Sequence, residues 1–131
     1  MRVMVDTNIL ISALLFPNER MDALIYRITT RYTLVLSSYI IKELTDVTER
    51  KFKSKVAVVD NLLSQLPYEF VYTPKQPPLG VFEIRDIKDY PVLYSAIVEG
   101  VDVFITGDKD FDEIDIEKPE ILTPTAFLEN Y

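Results

Sequence analysis

The first apolar block of the chain, Val3-Met4-Val5, ends abruptly in Asp6-Thr7-Asn8. Three successive apolar residues suit a strand buried on both faces of a parallel sheet, where neither face needs polar side chains. Ile9 to Phe16, interrupted only by Ser12, then predicts a helix capped by Thr7 or Asn8. From Asn18 onward, Met21, Leu24, Ile25 and Ile28 recur at the spacing of an amphipathic helix. Thr33-Leu34-Val35-Leu36 reads as a second buried strand. Ser37-Ser38 follows as the cap of a helix that reaches about Phe52, with Ile40, Ile41, Leu44 and Val47 as its apolar stripe. Glu43 lies at the margin of that stripe, whereas Lys42 and Glu49 face the other way.

Further along, Ser54 is placed to cap a helix in which Val56, Val59, Leu63 and Leu66 recur before Pro67. Glu69-Phe70-Val71-Tyr72 predicts a strand, and Thr73 to Leu79, with three of the chain's eight prolines, an irregular crossover. Pro91 favours the first turn of a helix whose buried face is Val92, Leu93, Ala96 and Ile97, which puts Asp89 at or just before the helix N-terminus. Gly100 ends that helix. Val103-Phe104-Ile105 is again a buried strand, and it stops at Thr106-Gly107-Asp108-Lys109-Asp110. A last short strand, Glu120 to Thr123, precedes a terminal helix that starts at Pro124. Strands alternating with helices predict an α/β fold with a doubly wound sheet. Asp6 and Asp108 then fall at the carboxyl rim of the sheet, where loops and helix N-termini converge.

A chain of 131 residues is long enough for one domain over 1–131 with a sizeable core, and too short for two comfortable ones. No signal peptide is visible, and the apolar stretch Ile9 to Phe16 is far shorter than the ~20 residues of a membrane span. A cytoplasmic protein without a membrane partner is expected. The absence of cysteine excludes disulfides and thiolate metal sites. The absence of histidine excludes more: Ser-His-Asp triads, imidazole acid–base pairs and the usual zinc site. Chemistry is left to carboxylates, hydroxyls, amides, Lys, Arg, Tyr or a metal held by oxygen. A net charge of −7 argues against general attraction to nucleic acid, an objection that a divalent cation among carboxylates weakens locally. The basic run Arg50, Lys51, Lys53, Lys55 reads as a solvated helix end or as a guide for an RNA backbone. Arg50 lies two turns from Glu43 on nearly the same side.

Taken singly, each rim acid suits a helix cap or a solvated side chain. Jointly, Asp6, Glu43, Asp89 and Asp108 are expected to converge on one edge, with no basic residue among them. Four carboxylates so close repel one another and raise one another's pKa unless a cation neutralises them. A hard divalent ion, Mg²⁺ or Mn²⁺, suits such oxygen-only ligands.

Val5-Asp6-Thr7-Asn8-Ile9-Leu10, Ser37 to Glu43-Leu44, Asp86-Ile87-Lys88-Asp89 and Ile105 to Phe111 resemble the four acidic motifs of PIN-domain nucleases. The closing Ile121 to Leu128 is similar to the end of the toxin branch of that family, found in toxin–antitoxin systems. The match covers nearly the whole chain, and its strength is the order and spacing of the motifs. It implies a three-layer α/β/α sandwich with a mainly parallel central sheet. It further implies a Mg²⁺- or Mn²⁺-dependent endoribonuclease, RNA as substrate, a cognate antitoxin protein as partner, and a homodimer. Carried over by position, Asp6, Glu43, Asp89 and Asp108 are the catalytic, metal-binding acids. Thr7, Asn8 and Thr106 are polar supporting residues, and Asp110 is an extra acid. Asp86 competes with Asp89 for the third place; the spacing from Asp89 to Ala96 and the next strand matches the family better. Asp108, directly at the strand end, is preferred to Asp110.

Two other Mg²⁺-binding folds with rim aspartates fit worse. A phosphoacceptor signalling domain needs an Asp where Leu36 is followed by Ser37-Ser38, and an aspartyl-nucleophile phosphatase needs one where Asn8 stands. The rival from a different class is a PIN-like RNA- or protein-binding module without significant nuclease activity. Metal-dependent cleavage separates it from the enzyme.

Overall fold

The computed structural model describes residues 1–131. Its five strands, β1 (Arg2–Val5), β2 (Thr33–Ser37), β3 (Glu69–Val71), β4 (Val103–Ile105) and β5 (Glu120–Leu122), form one sheet in the order β3-β2-β1-β4-β5. Every pairing is parallel, with Val3 beside Leu34 on one side and Val103 on the other. Val3, Met4 and Val5 are all fully buried. Successive strand residues point to opposite faces, so both faces of the sheet are covered, giving three layers. Six helices supply the cover: α1 (Thr7–Leu15), α2 (Glu19–Arg31), α3 (Ser38–Lys51), α4 (Val56–Gln65), α5 (Tyr90–Val98) and α6 (Pro124–Asn130).

Most helix starts follow the sequence signals. Asn18 Oδ1 accepts from Met21 N at 2.9 Å, Ser37 Oγ from Ile40 N at 3.2 Å, and Thr123 Oγ1 from Ala126 N at 3.1 Å. Gly100, at φ +66°, takes the left-handed position just past α5. Four local expectations are corrected. Asp6, not Thr7 or Asn8, caps α1, because the strand ends one residue earlier than a Thr or Asn cap requires. Ser54 caps nothing: Lys53–Lys55 wind into a 3₁₀ turn that runs directly into α4. On α3 the fully inward third position is Thr48, 1% exposed, rather than Val47. Its hydroxyl is satisfied by Leu44 O at 2.7 Å, which lets a polar residue sit in the core. Tyr72 and Thr123 fall outside the strands predicted to hold them, Thr123 because it is the cap of α6.

The segment from Tyr72 to Ile84 carries no helix or strand, as its prolines predict. It is nonetheless fastened. Thr73 N donates to Ser38 Oγ at 2.9 Å, and the Thr73 and Ser95 hydroxyls lie 2.6 Å apart. Phe82 stacks on Tyr90 with ring centres 4.4 Å apart, and the Tyr90 hydroxyl donates to Pro78 O at 2.6 Å. No helix is long and apolar enough to cross a membrane.

Candidate active site

Strand order decides where the acids meet. The chain winds outward from β1 to β2 and β3, then returns to lay β4 on the other side of β1. The crevice above the carboxyl ends of β1 and β4 is therefore the switch point of the sheet, the usual ligand position in such folds. Asp6 follows β1 there, and its N–H continues the ladder to Ile105 O at 3.0 Å. Its Oδ1 accepts from Ile9 N at 2.9 Å, while its Oδ2 accepts from the Thr106 hydroxyl just past β4. Thr106 is in turn held by its N–H to Leu122 O at 2.9 Å, and its Oγ1 accepts from Asp108 N at 3.0 Å. One hydroxyl thus ties the acid after β1 to the acid after β4.

Glu43, on the second turn of α3, and Asp89, at the foot of α5, face these two acids across a small cleft. Thr7, Asn8, Lys88, Val92 and Phe111 complete its lining. Asp6 is only 7% exposed, an unusual position for a carboxylate without a cationic partner. Burial pushes its carboxyl above the ordinary value, reinforced by Asp108 and Glu43 and opposed by the bonds from Thr106 and Ile9. Burial and then the charges of Asp108, Asp86 and Asp110 push Asp89 up to about 6. Tyr39 is pushed up to about 12 by burial and by Glu43 beside it, and its hydroxyl donates to Lys88 O at 3.1 Å.

Asp6, Thr7, Asn8, Glu43, Asp89 and Asp108 therefore share one cleft, with Thr106 immediately behind it. Asp86 and Asp110 do not line it. The carboxylates of Asp86, Asp89 and Asp110 lie within 4.8 Å of one another, the one trio of acids so close, whereas Asp6, Glu43 and Asp108 share the cleft with Asp89 at longer range. Asp86 caps the turn before α5 through Lys88 N at 3.0 Å, as Asp108 caps the turn after β4 through Asp110 N at 2.9 Å, and Asp110 is paired with Arg85 at 2.5 Å. Arg50 shares a neighbouring groove with Glu43, whereas Lys51 is exposed and lines neither hollow. A basic residue does stand among the acids, against expectation. Lys88 reaches the cleft because it precedes Asp89 on the same turn, yet it makes no ion pair within 4.0 Å. Tyr39 was legible in principle: it lies four residues before Glu43, on the same helix face. The largest hollow, about 610 Å³ beside β5, is lined by Ile114, Ile116 and Ile121 and holds none of the four acids.

The residues present fit a hard cation. Thr7 Oγ1 is buried, lies in the cleft wall and has no hydrogen-bond partner, alone among buried side-chain polar atoms of the chain. Each Asp6 oxygen uses one lone pair on Ile9 or Thr106 and keeps another. The donors are all oxygen, and two of the carboxyls are shifted in the direction that a neutralising cation reverses.

A family model described as PIN domain matches residues 2–110. The chain belongs to the PIN-domain family. Among curated proteins, none matches it. Of solved structures, VapBC2 from Rickettsia felis, bound to a DNA fragment from their promoter, is similar over 93% of this chain and 97% of that one. The TM-score is 0.72 at 20% identity, a likeness of fold.

Proposed function

We propose that this PIN-domain chain is a divalent-metal-dependent endoribonuclease that hydrolyses RNA phosphodiesters and serves as the toxin of a type II toxin–antitoxin pair. The observation that carries the nuclease reading is the cleft itself: four carboxylates gather at the switch point of the sheet around an unpartnered buried hydroxyl, with no cation paired to any of them. The toxin role rests on the closing motif of the sequence and is supported by the fold shared with VapBC2. A cognate antitoxin and a homodimer belong to the same reading.

Asp6, Glu43, Asp89 and Asp108 would hold Mg²⁺ or Mn²⁺. When bound, such an ion supplies an attacking water of lowered pKa and offsets charge on the leaving oxygen. The chain's own residues prepare for this. Thr106 holds the Asp6 carboxylate and the backbone of Asp108 together, which orients one acid and positions the other. Asn8, exposed at the cleft wall, offers a side-chain oxygen suited to orienting water or phosphate, while the Thr7 hydroxyl is buried behind it. Lys88, unpaired at the rim, is placed to meet a phosphate oxygen, and Arg50 and Lys51 extend positive charge along α3. With no imidazole in the chain, activation of the RNA 2′-hydroxyl by paired histidines is closed, and this reading takes metal-activated water as the nucleophile. The products are then a 5′-phosphate and a 3′-hydroxyl. End-group analysis of a cleaved single-stranded RNA tests this: cleavage should stop in EDTA and return with Mg²⁺ or Mn²⁺. A 2′,3′-cyclic phosphate, or cleavage persisting in EDTA, would sink the mechanism.

A further inference from the structure

A second hollow, of about 430 Å³, lies on the far side of Tyr39 from the acids and differs from them in every chemical respect. Tyr39, Lys42, Tyr72, Pro74, Lys75 and Pro91 line it, with no carboxylate in its wall. In a chain of net charge −7 an acid-free wall carrying lysines is an exception. The hollow adjoins the cleft by way of the Arg50 groove. Glu43 and Lys88 are shared by the cleft and the Arg50 groove, while Tyr39 and Lys42 are shared by that groove and this hollow. Its wall is rigid, because Thr73, between Tyr72 and Pro74, is fastened by both its N–H and its hydroxyl to Ser38 and Ser95 at the two helices beneath. Yet Tyr72 itself is 66% exposed, an aromatic ring that the fold does not use.

We infer that this hollow is a nucleotide subsite: a base of single-stranded RNA stacks on Tyr72, and Lys75 meets the adjoining phosphate, while the strand runs past Tyr39 to the acids. Stacking needs a flat, accessible ring on a fixed backbone, which Tyr72 supplies, and it is indifferent to base identity. Positive charge beside the ring complements the phosphates flanking a stacked base. Lys42 contributes less, since Asp46 already holds its ammonium at 2.9 Å. Duplex RNA fits poorly, because its bases are not free to enter a hollow of this kind. The subsite rests on the ribonuclease reading for its substrate, but it is measured separately.

The test combines cleavage and binding of a labelled twelve-nucleotide single-stranded RNA of mixed sequence. In Mg²⁺, Tyr72→Ala with Lys75→Ala should raise KM about tenfold while kcat stays within about twofold. Tyr72→Phe, which keeps the ring, should restore the wild-type KM. Fluorescence anisotropy with the same RNA in EDTA should show a comparable loss of affinity in the double variant. Wild-type KM in the double variant, or an equal loss in Tyr72→Phe, overturns the subsite and leaves the nuclease reading intact. A wild-type chain that binds RNA through Tyr72 without cleaving it overturns the nuclease reading and leaves the subsite standing. RNA affinity independent of Tyr72 and Lys75 would mean that the hollow serves something other than nucleic acid, such as a proline-rich peptide, and that too overturns the inference.

Discussion

The two walls of the acidic cleft are held in opposite ways. Asp6 is nearly buried, grows out of a central strand, and has both carboxylate oxygens hydrogen-bonded to residues that are themselves fixed. Asp89 is half-buried on a short turn that follows the irregular segment 72–84, within 4.8 Å of the carboxylates of Asp86 and Asp110. The first wall is held by hydrogen bonds at the expense of a desolvated charge; the second is more exposed and crowded by like charges, of which only Asp110 has a cationic partner, Arg85.

Removing charge from each wall in turn has the largest expected effect. Asp6→Asn and Asp108→Asn are expected to lower RNA cleavage by at least roughly a hundredfold, above the range for partners of ligands. Glu43→Gln and Asp89→Asn should likewise remove most activity, whereas Asp86→Asn and Asp110→Asn should stay within about threefold of wild type. Asn caps helices as well as Asp does, and Asp6→Asn relieves a buried charge. Its metal-free melting temperature should therefore equal or exceed that of wild type. Cleavage rates and melting curves check both halves, and an Asp110→Asn loss as large as that of Asp108→Asn would move the fourth ligand outward.

Next in size is the tie between the strands. Thr106→Val keeps the shape but removes the hydroxyl that joins Asp6 to the Asp108 backbone. Activity should fall about 10–100-fold through weakened metal affinity, with a stability loss of about 1 kcal/mol. Titrating Mn²⁺ against the activity of the variant reads this directly; unchanged metal affinity would show that Asp6 needs no fixing.

The Asp89 wall has a pH signature. Asp89 has its folded pKa raised to about 6, so the folded chain binds the proton more tightly than the unfolded chain does. This group's contribution to metal-free stability is then fully present below the ordinary carboxylate value and is lost as pH rises from about 4 through 6. A cation reverses the loss. Mn²⁺ a hundredfold above its Kd should raise the melting temperature by about 10 °C at pH 7 and by much less at pH 5. Equal shifts at both pH values would contradict binding through these carboxylates.

The smallest effect is expected away from both walls. Replacing Arg50 and Lys51 with Gln should flatten the salt dependence of RNA binding by about 1.4 in log–log slope, near 0.7 per lost phosphate contact. Glu49→Gln, exposed on the far face of α3, should change nothing measurable in cleavage. Identical salt slopes would return the basic run to plain solvated surface.

Several features of the site were legible because they depend on local pattern. Asp6 and Asp108 stand where an apolar strand stops, and Glu43 sits at the margin of a helical stripe, so periodicity alone puts all three near the rim. The misreadings are also local in cause. Thr7, Asn8 and Ser54 are all good caps by type, but which residue caps a helix depends on where the preceding element releases the chain. Val47 and Thr48 differ by one position of helical phase, and the packing surface beneath α3 chose the polar one.

Residue type and short-range spacing are enough to set the alternation of strands and helices, the carboxylates that close β1 and β4, and a donor set confined to oxygen. Long-range pairing was needed to lay β4 beside β1, bringing Thr106 onto Asp6 across 100 residues. Packing likewise settled that Lys88 enters the cleft, that Asp86 and Asp110 stay out of it, and that Tyr72 stands free next to a lysine. The physical reason is that strand order and side-chain direction at strand ends are fixed by long-range pairing and packing, which no local pattern along the chain encodes.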